Sequence, residues 1–262
     1  MSAATIGTAC LLAGCGAGAA AGTDNSSVTE SQSGVNGSEQ ENASSDSQKL
    51  QIVATIFPEY DWVKEILGDQ VENVDLTLLL GNGTDMHSFQ PTMEDILKVS
   101  TCDLFIYVGG ESDSWVADAL KGAGNPDRKA INLMDVLGDQ VKEEELVEGM
   151  QDEDDHTHEE GHTHDDDLEY DEHVWLSLKN ASLFCDTIAS SLADADPEHS
   201  RLYQQNAEAY EEKLAALDQE YQTSVEKSQS KTLLFADRFP FRYLIDDYNL
   251  TYYLSLIHIS EP

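Results

Sequence analysis

Along this chain short apolar runs alternate with longer stretches in which apolar residues recur every three or four positions. Residues 50–57, LQIVATIF, are a mostly apolar run bounded by Pro58, which predicts a buried strand. In YDWVKEILGD, Trp62, Val63, Ile66 and Leu67 share one helical face and Gly68 stands at its end, so a helix follows. VENVDLTLLL reads as a second strand, closed by the turn-rich GNGTD. TMEDILKVSTC predicts a helix with Thr92 and Asp95 at its N-terminus and Ile96, Leu97 and Val99 on its apolar side. DLFIYVGG is a third strand, WVADALKGA a helix, and KAINLMDVL a short strand running into a helical turn. Such strict alternation predicts a parallel α/β lobe, whose ligands sit beyond the carboxyl ends of its strands.

Further on, HVWLSLKNASLFCDTIASSLADADP places Leu183, Phe184, Thr187, Ile188 and Leu192 at helical spacing, ending near Pro197. From Pro197 to Ser228 no further Gly or Pro occurs, and Leu202, Tyr203, Ala207, Tyr210, Leu214, Leu217, Tyr221 and Val225 recur at three- and four-residue steps. A helix of roughly 30 residues spans about 45 Å, the length of a connector between two lobes. KTLLFADRF then restarts the pattern with a strand, followed by the helix FRYLIDDYNL and the start of an element at TYYL. The final SLIHISEP completes no element and is set aside as a tail, His258 with it. The expected organisation is an N-terminal lobe at 49–196, a connecting helix at 197–228, the start of a second α/β lobe at 229–254, and a tail at 255–262. A lobe of one strand and one helix leaves a sheet face uncovered, so residues 231–262 are expected to be held less firmly than 49–227.

Charge changes the picture. The 262 residues include 51 Asp and Glu against 14 Lys and Arg, a formal charge of -37. That balance repels nucleic acid and makes cations the natural small partners. Of the four cysteines, Cys102 and Cys185 lie in the apolar runs TCDLFIYV and ASLFCDTIA and read as buried small residues, with no CxxC pair. The other two lie in MSAATIGTACLLAGCGAGAAAG, where a short apolar segment precedes small residues in the manner of a signal peptide. The segment is too short to span a bilayer. Leu12-Ala13-Gly14-Cys15 resembles a bacterial lipobox, although no Lys or Arg precedes the apolar run. Residues 1–15 are therefore read as a signal peptide, with Cys15 lipidated as the first mature residue. Residues 16–48, rich in Ser, Asn, Gly and Glu, predict a flexible tether. Together they predict an extracytoplasmic body held to a bacterial cell membrane by a lipid anchor.

Five histidines fall between residues 152 and 176, and they are not equivalent. His156, His158, His162 and His164 form two HTH repeats in an acidic loop, 151–172, with no apolar residue from Asp152 to Asp167. Alternate residues of an extended chain lie on one side, so each repeat offers two nitrogens to one ion. Ordering such a loop costs about 1–2 kcal/mol per residue, which makes it an auxiliary collector and not a tight site. His173 differs, because Trp175 and Leu176 pin the backbone beside it. His87 follows GNGTDM at a strand's carboxyl end. Imidazole is the commonest neutral ligand of first-row metals, and zinc takes four donors in a tetrahedron. Glu59 is either a further oxygen donor near the cleft or a charge at a helix N-terminus. A metallohydrolase is one alternative, since HTHDDD begins like HxHxDH, but Asp167 stands where the last His is required. No HExxH, GxSxG or P-loop pattern occurs, so an enzyme is not expected. A surface metal buffer that works without a transporter is the other alternative.

The run from TIFPEYDWVKEILG through HSFQPT to LFIYVGG resembles the metal-binding solute-binding proteins of ABC transporters, the group that delivers zinc or manganese. DEHVWLSLKNA is similar to that family's second histidine signature, and DRFPFRYLIDDYNL to the segment that opens its second lobe. The resemblance covers residues 49–253. It implies a two-lobed periplasmic-binding-protein-like α/β fold, with parallel sheets joined by a long rigid helix and one metal at the cleft. It also implies a monomer with an ABC permease as partner. The acidic His-rich loop before the second signature is common among zinc members, so zinc is the expected cargo, with manganese the alternative. His87 and His173 match the family's first two ligands. The third ligand position falls on Arg238, which has no lone pair to offer, and Asp237 beside it is the candidate substitute. The family's fourth ligand, an acidic residue deeper in the second lobe, falls past the last residue here, so the second lobe is expected to be incomplete.

Overall fold

The computed structural model describes residues 49–81, 83–122, 124–144, 169–235 and 239–254. Cys15, His156, His158, His162, His164 and Asp237, and the readings of 1–48 and 255–262, lie outside the described residues.

Four parallel strands make the first sheet: β1 (Leu50–Ala54), β2 (Val74–Leu78), β3 (Leu104–Tyr107) and β4 (Lys129–Asn132), in the order β2-β1-β3-β4. Leu50 stands opposite Val74, Ile52 opposite Leu104, and Leu104 opposite Lys129. The central strands are covered on both faces, which is why they read as mostly apolar runs, with Gln51 the one polar residue among them. Ile52 and Ile106 face one core with Trp62, Ile66, Phe184, Ile188 and Tyr203, while Val53 and Phe105 face another with Val99, Val116 and Ala119. The first core is roofed by α1 (Phe57–Leu67), α5 (Leu178–Ala195) and α6 (Ser200–Lys227), the second by α2 (Met93–Thr101) and α3 (Val116–Leu120). The short α4 (Leu133–Leu137) follows β4 directly. The start of α2 is a reciprocal cap: Thr92 Oγ1 accepts from the Asp95 amide at 3.2 Å, and the Asp95 carboxylate accepts from the Thr92 amide at 2.9 Å. Cys102 and Cys185 are buried and free, and burial pushes both thiols up to about 12.

The connecting helix α6 has 28 residues, about 42 Å at the standard rise. It begins at Ser200 and not at Pro197. The corner before it is tied by Asp196, which accepts from His199 Nδ1 at 2.7 Å and from the Tyr203 hydroxyl at 2.6 Å. The apolar stripe foreseen along α6 is covered only in its first half. Tyr203, Ala207 and Leu214 are buried, whereas Leu217 and Tyr221 are exposed.

Past α6, β5 (Thr232–Phe235) and β6 (Thr251–Leu254) pair in parallel, with α7 (Arg242–Asp247) between them in sequence. α7 is not left facing water: its Tyr243 and Ile245 are buried, as is Tyr248 just beyond it. Tyr243 donates its hydroxyl to the Asp171 carbonyl at 2.8 Å and accepts from the Lys142 amide at 3.1 Å. Ser177 Oγ donates to Asp247 at 2.6 Å, and the Tyr248 hydroxyl donates to Asp218 of α6 at 2.9 Å. In the two strands Leu234 and Tyr253 are each 70% exposed. No helix among the described residues is long and apolar enough to cross a membrane.

Candidate metal site

Chain direction decides where the site forms. β1 leads out to β2 on one side and β3 leads out to β4 on the other, so the crevice beyond the carboxyl ends of β1 and β3 is a topological switch point. His87 comes from the β2–α2 connection, in a 3-10 turn at Met86–Ser88. The Asp85 side chain accepts from the His87 amide at 3.0 Å, which holds that turn. His173 arrives from the far side of the 145–168 segment. The neck of that segment is a short antiparallel ladder: Glu144 N donates to Glu169 O, and Asp171 N to Lys142 O, each at 2.9 Å. Val174 is fully buried behind His173, and the Trp175 ring lies 5.2 Å from the imidazole. Buried Val174 contributes to the apolar anchoring expected of Trp175 and Leu176.

These two segments bring His87 Nε2 and His173 Nε2 to 3.4 Å, with the ring planes at 54°. Asp171 Oδ1 accepts from the His173 amide at 2.8 Å and lies 3.2 Å from His173 Nδ1. A carboxylate only accepts, so this contact assigns the proton to Nδ1 and leaves the Nε2 lone pair facing His87. Two zinc ligands at 2.0–2.1 Å in a tetrahedron stand about 3.3–3.4 Å apart, whereas a cis pair in an octahedron at that length stands about 2.9 Å apart. The observed separation fits the tetrahedron. As a direct N–H···N hydrogen bond, 3.4 Å would be long.

Among the described residues no third His, Cys, Asp or Glu joins the pair as a metal cluster. Glu59 resolves to the structural alternative. Its fully buried Oε2 accepts from the amides of Thr55 at 2.8 Å and Ile56 at 3.1 Å, and from Thr55 Oγ1 at 3.0 Å, at the start of α1. Burial holds this carboxyl up at about 8, with Asp113 adding to the rise. Asp113 is itself pushed up to about 6 by burial, against a hydrogen bond from the Gly109 amide.

Three residues beside the histidines were not foreseen: Asp171, Glu172 and Ser112. Asp171 and Glu172 belong by sequence to the acidic stretch 151–172, yet they are only 5% and 6% exposed. Glu172 accepts from Ser112 N at 2.8 Å and from Ser112 Oγ at 2.5 Å, and Ser112 Oγ lies 3.1 Å from His87 Nδ1. The Gly109-Gly110 doublet was the available signal. Both adopt positive φ, and a Cβ on Gly110 would collide with the Glu172 carboxylate.

A parallel α/β lobe with two imidazoles converging at its switch point, joined by a long helix to a second parallel pair, is a two-lobed binding-protein architecture. Residues 52–261 match the family described as ZnuA, zinc-uptake complex component A, periplasmic, and the chain belongs to that family. It is 33% identical over 202 residues to the zinc-binding lipoprotein AdcA of Streptococcus pneumoniae, covering 77% of this chain and 38% of that protein. It is 32% identical over 215 residues to the high-affinity zinc uptake system protein ZnuA of Bacillus subtilis, covering 82% of this chain and 63% of the relative. The chain thus spans less than two thirds of the length of these relatives. Its fold is similar to the crystal structure of Zn(II)-bound AdcA from Streptococcus pneumoniae, with a TM-score of 0.61 and 27% identity, over 79% of this chain and 39% of that one. It is also similar to the metal-dependent lipoprotein YcdH of Bacillus subtilis, with a TM-score of 0.62 and 27% identity, over 78% and 66% of the two chains.

Proposed function

We propose that this chain is an extracytoplasmic solute-binding protein that captures zinc and passes it to an ABC import permease. The carrying observation is the 3.4 Å separation of two imidazole nitrogens from distant segments, which suits two corners of a zinc tetrahedron. Family membership and the zinc-binding relatives support the same cargo. Manganese, the alternative cargo, favours oxygen donors in an octahedron, which a converging imidazole pair suits less well. His87 and His173 are the ligands from the first lobe, and Asp237 is the proposed third, at the opening of the second. His156, His158, His162 and His164 raise the local zinc concentration beside the cleft, and the field of -37 attracts the cation from a distance. The protein acts as a monomer, is anchored through lipidated Cys15, and carries cargo instead of catalysing a reaction.

Zinc is bound between the Nε2 lone pairs of neutral imidazoles, so loading displaces only the extra proton of an imidazolium and leaves each Nδ1–H in place. Calorimetry on the metal-free protein tests the assignment. His87→Ala or His173→Ala is expected to weaken the tight site by about 10-fold or more, while deletion of residues 152–167 removes only the weak binding. Loss of the tight site in the loop deletion, with the site intact in His173→Ala, would sink the proposal. Native mass spectrometry of the loaded protein reads metal identity and stoichiometry, and one tight zinc is the expected result.

A further inference from the structure

We propose that Glu172 and Ser112 are positioning residues that fix the tautomer of His87, so that its ring offers a bare Nε2 to a cation. This rests on the metal-binding reading of the His87–His173 pair, and it concerns residues outside that pair.

The argument is proton bookkeeping. Both Glu172 carboxylate oxygens are committed to one residue: Oε1 accepts from Ser112 N at 2.8 Å and Oε2 from Ser112 Oγ at 2.5 Å. A serine hydroxyl has one proton, and here it goes to Glu172. Ser112 Oγ therefore faces His87 Nδ1, at 3.1 Å, with lone pairs only. His87 Nδ1 must be the donor. A neutral imidazole has a single N–H, so Nε2 is left bare and turned toward His173. The Glu172 charge, 3.7 Å from Nδ1, favours the proton on the same nitrogen.

Glu172 sits in a built seat. Its side chain is 7% exposed, the Gly110 backbone passes against its carboxylate at positive φ, and a side chain on Gly110 would evict it. The two rings are thus set by consecutive carboxylates of one segment, Asp171 directly for His173 and Glu172 through Ser112 for His87. One movement of residues 171–173 would disturb both ligands together.

The test uses the full chain, metal-free and labelled with 15N-histidine, at a pH where the imidazoles are neutral. In the unaltered protein His87 is expected as the Nδ1–H tautomer. Glu172→Gln is nearly isosteric, but the Ser112 amide can only donate, so the new amide oxygen must turn to it. The new NH2 then faces Ser112 Oγ, whose hydroxyl donates to His87 Nδ1 and moves the ring proton to Nε2. The expected result is an inverted His87 tautomer, an unchanged His173, and zinc affinity lowered about 10- to 100-fold. Ser112→Ala removes the acceptor and is expected to divide His87 between both tautomers; it decides the question if Glu172→Gln does not fold. A role confined to stapling the two loops together would lower affinity without moving the proton. An unchanged His87 tautomer in folded Glu172→Gln therefore overturns the proposal. If the unaltered protein shows the Nδ1–H tautomer yet binds no zinc tightly, the metal-binding reading falls and the positioning of His87 stands.

Discussion

Glu59→Gln should make this protein more stable at alkaline pH while leaving its acid-side stability nearly unchanged. Glu59 is fully buried at the start of α1, with Oε1 lacking a hydrogen-bond partner among the described residues. Burial raises its carboxyl from 4.5 to about 8. For a group raised in the folded state, the stabilising contribution is complete below the unfolded value of 4.5 and is lost as pH climbs through 8. Each pH unit across that window costs about 1.4 kcal/mol, so the loss by pH 8 is on the order of 3–5 kcal/mol. That is a large share of the roughly 5–15 kcal/mol that holds an ordinary domain together. Glutamine mimics the protonated acid. Its carbonyl can accept from Thr55 N and Ile56 N as Oε2 does, so the two proteins should agree within about 1 kcal/mol near pH 5. Asp113, raised from 3.8 to about 6, bends both curves in the same sense and largely cancels in the difference. The assay is urea unfolding from pH 5 to 9 with a chelator present, so that zinc linkage does not contribute. Stability curves that run parallel for the two proteins across this range would refute the reasoning.

Tyr243→Phe removes a hydroxyl that bridges the Asp171 carbonyl and the Lys142 amide, and should cost about 1–3 kcal/mol. Hydrogen exchange at the Lys142 amide should quicken, and unchanged protection there would show that α7 does not brace the neck of the acidic segment. Zinc affinity should fall on acidification, because imidazolium has no lone pair to give. A competition titration with a chelator of known proton linkage measures that fall, and a flat profile would exclude the histidine pair as ligands. Cys15→Ser should release the protein from membranes of a bacterial host that recognises its lipobox, since stable anchoring takes several acyl chains. Recovery of the unaltered protein wholly in the soluble fraction of that host would refute the anchor.

Much of the fold was legible along the chain, because its signals are local. The apolar runs at 52–54 and 104–107 report strands covered on both faces, and the Thr92–Asp95 cap reports its own helix start. His87 and His173 could be singled out from the sequence, one by its place after a strand and the other by its apolar neighbours. Their 3.4 Å approach could not, because it depends on a ladder at 142–144 and 169–171 and on the strand order β2-β1-β3. Asp171 and Glu172 look like their acidic neighbours in sequence. They are distinguished only by what lies against them, Gly110 from the β3–α3 connection at Glu172 and Tyr243 from α7 at Asp171. Glu59 is the contrary case, because the amides it caps, Thr55 N and Ile56 N, lie only four and three residues back, and the tertiary structure adds its burial. Periodicity and capping act within a few residues and are written in the chain. Burial of one charge depends on a segment many residues away, and only the tertiary structure decides it.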